Sequence, residues 1–215
     1  LSLIADALSH VTLGGISFGM FILTIIPVLS LINPMWFGIL FAVIGALLIE
    51  KLRTSFSNYQ EIAIPIIMSA GIALSAIFIS LADGFNQEIV GLLFGSISAV
   101  NISDLLTIIV IAILVVLFII LFYKELFILS FDEEYSQVIG IPKWIQFLFI
   151  IIVAMVISAS MRVVGILLVS ALISLPIAIS MRITKGFKQL ILVSVVLGEL
   201  SIILGLVIAF YMNIS

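Results

Sequence analysis

The sequence DLLTIIVIAILVVLFIILFY, residues 104–123, carries no charged side chain after Asp104. The hydrocarbon core of a bilayer is about 30 Å thick, and an α-helix needs about 20 mostly apolar residues to cross it. This segment therefore predicts a transmembrane helix. An unbroken apolar run of this length also decides the class of the fold, because the strands of a membrane barrel alternate apolar and polar residues.

Comparable apolar runs occur along the whole chain, which has 215 residues, 65% of them hydrophobic and only 9% charged. Soluble domains contain roughly 45–50% apolar residues. We therefore expect an all-α fold, a polytopic membrane helix bundle of about seven spans that forms a single transmembrane domain over residues 1–215. The other predicted spans cover residues 3–26, 35–50, 60–82, 144–161, 163–181 and 189–211.

The segment EIVGLLFGSISAV, residues 88–100, is apolar but too short to be a further span. As a helix it would extend only about 20 Å, at 1.5 Å per residue. We expect a re-entrant or surface-lying segment.

The lysines and arginines predict how the bundle is oriented. If the first span runs from the cytoplasm outward, all of them except Arg162 lie on the cytoplasmic side, as the positive-inside rule requires. Asp83, Glu88 and Arg162 then face outward, and we expect them at the extracellular entrance. The net charge of −3 is uninformative here, and we expect the lipid membrane, and no nucleic acid, as a partner.

Several kinds of chemistry are excluded by the motifs that the sequence lacks. It has no cysteine and therefore no thiolate metal site, and no G-x-x-x-x-G-K-[ST] loop to hold a nucleotide phosphate. It also lacks H-E-x-x-H and G-x-S-x-G, and it has one histidine. We expect a protein that is not an enzyme, and any ATP hydrolysis must come from a separate partner.

The stretch ADALSHVTLGG, residues 5–15, places Asp6 and His10 four residues apart at the edge of the first span. Side chains at i and i+4 project from the same face of a helix. A carboxylate and an imidazole together suit Zn²⁺, Mn²⁺ or Fe²⁺ better than Ca²⁺ or Mg²⁺. The alternative is that Asp6 caps the helix and His10 makes an interhelical hydrogen bond.

Glu199, in VVLGELSII, lies near the middle of the last predicted span. A carboxylate is expensive at that depth, which makes it a hypothesis for a functional residue by default. We consider it as a third metal ligand. The alternative is a protonated acid that is hydrogen-bonded to a serine.

The cytoplasmic connection LSFDEEYSQVIGIPKW, residues 129–144, carries the signals of a short helix. Asp132 is a good N-cap, and Glu133 and Glu134 favour the positive end of a helix. Gly140 suits the position just after the helix, and Pro142 stops its continuation. We expect a helix near residues 133–139, either an ordinary loop helix or an element that inserts into a cytosolic motor.

Small residues recur at helical spacing in two places, Gly15 with Gly19 and Gly91 with Gly95. Each pair forms a G-x-x-x-G pattern, which lets two helix backbones approach closely. We interpret both pairs as helix-packing positions.

Four segments together resemble the permease subunits of the bacterial zinc/manganese ABC importers. They are LSLIADALSHVTLGGISFG at 1–19, GLLFGSISAV at 91–100, FDEEYSQVIGI at 131–141 and MRVVGILLVSALISLPIAISMR at 161–182. They stand in the same order as in that family and span most of the chain. The resemblance implies a type II ABC importer permease fold in the bacterial plasma membrane.

The resemblance also implies partners and roles. The partners are cytosolic ABC ATPase subunits, an extracellular metal-binding lipoprotein and a second permease subunit, in a homodimer or a heterodimer. The family's D-x-x-x-H element falls on Asp6 and His10, and its coupling helix falls on residues 131–141, from Phe131 to the turn at Gly140.

The chain departs from the family pattern at three places. Family members have a further helix ahead of the first segment and further residues after Ser215, so we expect this sequence to be truncated at both ends. The family usually has Pro where this chain has Gly14, which changes local stiffness.

We therefore expect a membrane-spanning permease subunit of an ATP-driven importer of Zn²⁺ or Mn²⁺, with the ion as cargo and no permanently bound cofactor. Metal capture should weaken on acidification, because imidazole must be neutral to ligate. The alternatives are a proton-coupled secondary cation carrier that uses Asp6 and Glu199, and an ABC permease for a metal chelate.

Overall fold

The computed structural model describes residues 2–26, 32–56, 60–82, 87–96, 100–131 and 140–212, and its long elements in these ranges are α-helices. A short 3-10 helix, Gln60–Ile62, leads into the third of them. The helices are α1 Ser2–Ile25, α2 Met35–Ser55, α3 Ala63–Leu81, α4 Gln87–Phe94, α5 Ile102–Leu121, α6 Tyr123–Phe131, α7 Lys143–Val164, α8 Ile166–Ile183 and α9 Phe187–Met212.

Seven of the described helices are long and apolar enough to cross a membrane, namely α1, α2, α3, α5, α7, α8 and α9. The predicted number of spans and the all-α class are thus confirmed. The short helix α4 has 8 residues, about 12 Å, so it cannot cross the bilayer. It occupies the segment for which a re-entrant or surface-lying element was predicted.

The chain divides into two compact units, residues 3–169 and residues 170–215. Helix α1 is the most enclosed span, with 56% of the residues in its apolar stretch buried.

Helix α1 packs closely against α2 because it has glycine at positions 15 and 19. A Cβ on Gly15 would lie 2.5 Å from Phe37 O and 2.6 Å from Phe41 Cβ, and one on Gly19 would lie 2.8 Å from Phe37 Cδ2. The interpretation of this pair as a packing motif is confirmed.

Polar contacts join the helices at one end of the first unit. Asn33, just before α2, donates from Nδ2 to Asp104 Oδ1 at 3.3 Å. Asp104 is buried in the first turn of α5, where it forms a capping box with Asn101. By the predicted orientation this is the outer end, and we call it so below.

At the opposite, inner end, α2 and α5 finish where α7 begins. Gln146 donates from Nε2 to Glu50 Oε1 at 3.1 Å. The rings of Phe122 and Trp144 meet edge to face at a centroid distance of 5.4 Å. Lys51, which follows Glu50 in α2, belongs to this end, which the predicted orientation places on the cytoplasmic side.

An apolar cluster near the outer end is built by α1, α3, α4, α7 and the start of α8. Its buried members are Leu13, Ile16, Ile79, Ile89, Leu92, Met161 and Ile166. Helix α4 contributes Ile89 and Leu92, and the chain then turns at Gly95, which has φ +80°. Gly95 lies against the α7–α8 junction.

Gly91 and Gly95 therefore do not act as a helix-packing pair. A Cβ on Gly91 would find its nearest neighbour only at 3.8 Å, in Ser96. Gly95 lies outside α4 and is needed for its left-handed backbone and for the close approach of another backbone. The prediction for this pair is wrong, because the helix ends one residue before Gly95.

In the second unit, α8 contains Pro176, which is buried and packs beside Gly198 of α9. The hydroxyls of Ser174 and Ser180 donate to main-chain oxygens four residues earlier, at 2.8 and 2.7 Å. Helix α9 has no buried residue.

Candidate metal site on the first helix

Asp6 and His10 lie one turn apart on α1, and both are half-buried, whereas Ala5, Ala7 and Ser9 are buried. Their directions around the helix axis differ by about 40° and their axial positions by about 6 Å. The predicted common face is therefore the face on which this part of α1 is open. A carboxylate and an imidazole so placed can approach the same ion.

Helix α3 holds the backbone of α1 at His10. Ser75 Oγ lies 2.7 Å from Gly71 O and 3.1 Å from His10 O, and its one proton is shared between them. A Cβ on Gly71 would lie 2.8 Å from Val11 N. The main chain that carries the imidazole is therefore held by direct contact with α3.

The structure describes no third ligand beside the pair. Among the residues that the structure describes, no three His, Cys, Asp or Glu side chains come together as metal ligands would. Glu199 lies on α9 in the second unit and is exposed there. The predicted role of Glu199 as a ligand stays a prediction, and the hydroxyl of nearby Ser201 is already used, because it donates to Leu197 O at 2.7 Å.

The predicted coupling segment is only partly within the described residues. Phe131 is the last residue of α6, and Asp132, Glu133 and Glu134 lie outside the described ranges. Gly140 is exposed and has φ +82°, the left-handed conformation common just after a helix. The assignment of residues 131–141 as a coupling helix stays a prediction.

The predicted entrance residues are also only partly described. Asp83 lies outside the described ranges, and Glu88 and Arg162 lie in α4 and α7, of which the backbone is described at these two positions. Both helices contribute to the apolar cluster at the outer end.

Two interhelical polar contacts were missed from the sequence. The contact of Asn33 with Asp104 had a partial signal, because Asn101 and Asp104 form the N-x-x-D pattern of a capping box. The contact of Glu50 with Gln146 joins residues 96 positions apart and had no signal in the sequence.

The seven spans, the short outer helix and the polar pair on the most enclosed helix together form the architecture of a multi-pass helical permease. The pattern of the ABC 3 transport family matches residues 1–215. The chain belongs to this family, and the resemblance seen in the sequence is confirmed.

Individual relatives agree with this assignment. The chain is 30% identical over 216 residues to a "Probable metal transport system membrane protein" of Treponema pallidum, covering 100% of this chain and 77% of the relative. It is 31% identical over 216 residues to the "Manganese transport system membrane protein MntC" of Listeria monocytogenes, covering 100% and 74%. The solved structure of PsaBC from Streptococcus pneumoniae in complex with Fab matches with a TM-score of 0.81 and 28% identity, over 99% of this chain and 74% of that chain.

Proposed function

We propose that this chain is the membrane-spanning permease subunit of an ATP-driven importer of a divalent transition metal ion, with Mn²⁺ favoured over Zn²⁺. The observation that carries the proposal is the half-buried pair of Asp6 and His10 on the most enclosed helix. Manganese is favoured because the Listeria relative is named as a manganese transport protein. A permease for a metal chelate would not need two ligating side chains in its path.

The chemistry of the pair fits a gate for such an ion. The carboxylate of Asp6 lowers the barrier for a cation, and an imidazole nitrogen of His10 replaces water in its coordination shell. Because Ser75 and Gly71 hold the helix backbone behind His10, release of the ion requires rotation of the side chains or movement of α1 with α3.

Two ligands alone bind a metal weakly, and three or four are normal. We propose that a second permease subunit supplies the rest, so that two aspartates and two histidines surround one ion. A purified permease dimer should then bind about one ion per two chains. Binding of one ion per chain would contradict this arrangement and would indicate a shell made within one subunit.

Energy for transport comes from cytosolic ATPase subunits, since the chain has no nucleotide-binding loop of its own. We propose that residues 131–141 transmit their motion, because this segment carries the sequence signals of a short helix that ends near Gly140. An extracellular metal-binding lipoprotein delivers the ion, and the path opens to the cytoplasm at the inner end.

The test is metal uptake by cells that carry the full permease with its partner subunits. His10→Ala and Asp6→Asn should abolish uptake of Mn²⁺, and the importer should still assemble. Glu61→Gln is the control, because Glu61 is an exposed carboxylate outside the predicted path. Wild-type metal accumulation by His10→Ala would overturn the proposal.

The same assay separates an ATP-driven importer from a proton-coupled carrier. A carrier that uses Glu199 as its second protonatable group would lose transport in Glu199→Gln and would keep it when the ATPase is inactivated. The importer requires the ATPase, so transport that survives its inactivation would contradict ATP-driven import.

A further inference from the structure

Ser17 of α1 is fully buried, and its Oγ has no hydrogen-bond partner among the described residues. The other buried hydroxyls of this helix are satisfied within it: Ser9 donates to Ala5 O at 2.8 Å and Thr12 to Leu8 O at 2.7 Å. Ser17 is therefore the exception among the described buried hydroxyls of this helix.

The position of Ser17 relates it to the metal pair. Viewed along the helix axis, residue 17 projects midway between residue 6 and residue 10, about 20° from each. It is about 10 Å farther along the helix than His10, toward the outer end. Asp6, His10 and Ser17 thus lie along one stripe of α1.

Leu13 lies on the same stripe, between His10 and Ser17, and belongs to the apolar cluster with Met161 and Ile79. Because Leu13 is packed into this cluster, the stripe is closed to a passing ion on the outer side of His10 in this structure. An unpaired hydroxyl that is fully buried, as that of Ser17 is, opposes folding, because it has lost water and gained no partner. Ser17 does not contribute to stability through its hydroxyl.

We infer that Ser17 is a further residue of the ion path, which its hydroxyl oxygen lines on the outer side of the pair Asp6–His10. When the apolar cluster separates, the oxygen contacts the entering cation or one of its bound waters before the ion reaches the pair. A neutral oxygen suits Mn²⁺ better than it suits Zn²⁺, which prefers nitrogen and sulfur. The inference rests on the proposed function and adds a specificity-determining residue to it.

The test compares Ser17→Ala with two matched serine variants in the assembled importer. Ser9→Ala removes a buried hydroxyl of the same helix that is satisfied by Ala5 O. Ser158→Ala removes an equally unpartnered buried hydroxyl from α7, which lies outside the stripe. The readouts are initial rates of Mn²⁺ and Zn²⁺ uptake and the melting temperature of the purified importer.

Ser17→Ala should lower Mn²⁺ uptake about fivefold, the scale of one neutral hydrogen bond, with a smaller effect on Zn²⁺. Its melting temperature should equal or exceed that of the wild type. Ser9→Ala and Ser158→Ala should keep wild-type uptake, and Ser17→Thr, which retains a hydroxyl, should keep more uptake than Ser17→Ala.

Three outcomes would overturn the inference: unchanged Mn²⁺ uptake in Ser17→Ala, equal losses in Ser17→Ala and Ser158→Ala, or a lower melting temperature that accounts for the loss. Its failure is distinguishable from failure of the proposed function. If His10→Ala abolishes uptake while Ser17→Ala does not change it, the metal pair stands and only the role of Ser17 falls.

Discussion

Gly165 lies against the backbone of Gly95, and neither position has room for a side chain. Both have positive φ, +83° and +80°. A Cβ on Gly95 would lie 2.6 Å from Val163 O, and one on Gly165 would overlap the main chain of Phe94 and Gly95. The end of the short outer helix α4 therefore packs against the turn between α7 and α8 through direct main-chain contacts.

Gly165→Ala should destabilise the protein by about 3 kcal/mol or more, because the backbone there (φ 83°, ψ 157°) is one that essentially only glycine adopts and the methyl group would also meet main-chain atoms. Thermal unfolding of the detergent-purified protein measures the loss. Gly140→Ala is the matched control, since Gly140 also has positive φ but nothing within 4 Å. It should lose only about 1 kcal/mol, and equal losses in the two variants would contradict the steric argument.

Gly15→Ala should be destabilising, by about 1–3 kcal/mol, while Gly14→Ala should be nearly neutral. The new methyl group on Gly15 would lie 2.5 Å from the main-chain oxygen of Phe37, which cannot move without a shift of α2. On Gly14 it would meet Gly71 O and Ser75 Oγ at 3.4 Å, an ordinary contact. Melting temperatures of the two variants give the comparison, and a larger loss for Gly14→Ala would mean that α1 packs more closely against α3 than against α2.

Asp104→Ala should cost about 1–2 kcal/mol, because it removes the capping box of α5 and leaves one donor of Asn33 without its acceptor. Ser103→Ala, an exposed substitution in the same first turn, is the control. If both variants unfold at the wild-type temperature, the contact between the outer ends of α2 and α5 contributes nothing measurable.

The spans could be predicted from the sequence because the length of an apolar run is a local property that the bilayer thickness fixes directly. The α4 segment followed from the same argument, since its length alone rules out a crossing. The faces of α1 were also predictable, because helical periodicity puts Asp6 and His10 together whatever surrounds them.

Contacts between distant segments could not be predicted in this way. Glu50 and Gln146 meet only because α2 packs along α7, and nothing near either residue in the sequence signals the other. The same limit applies to Gly95, whose spacing from Gly91 matches a helix-packing pattern although the helix has ended before it. Ser17 was missed for a different reason, because whether a buried hydroxyl finds a partner depends on the packed neighbours.

The link between α7 and α8 is a single residue, Gly165. A link of one residue has no spare length, so a tag inserted there would separate α4 from the turn against which Gly95 lies. The surroundings of Gly186 leave open space for such a tag.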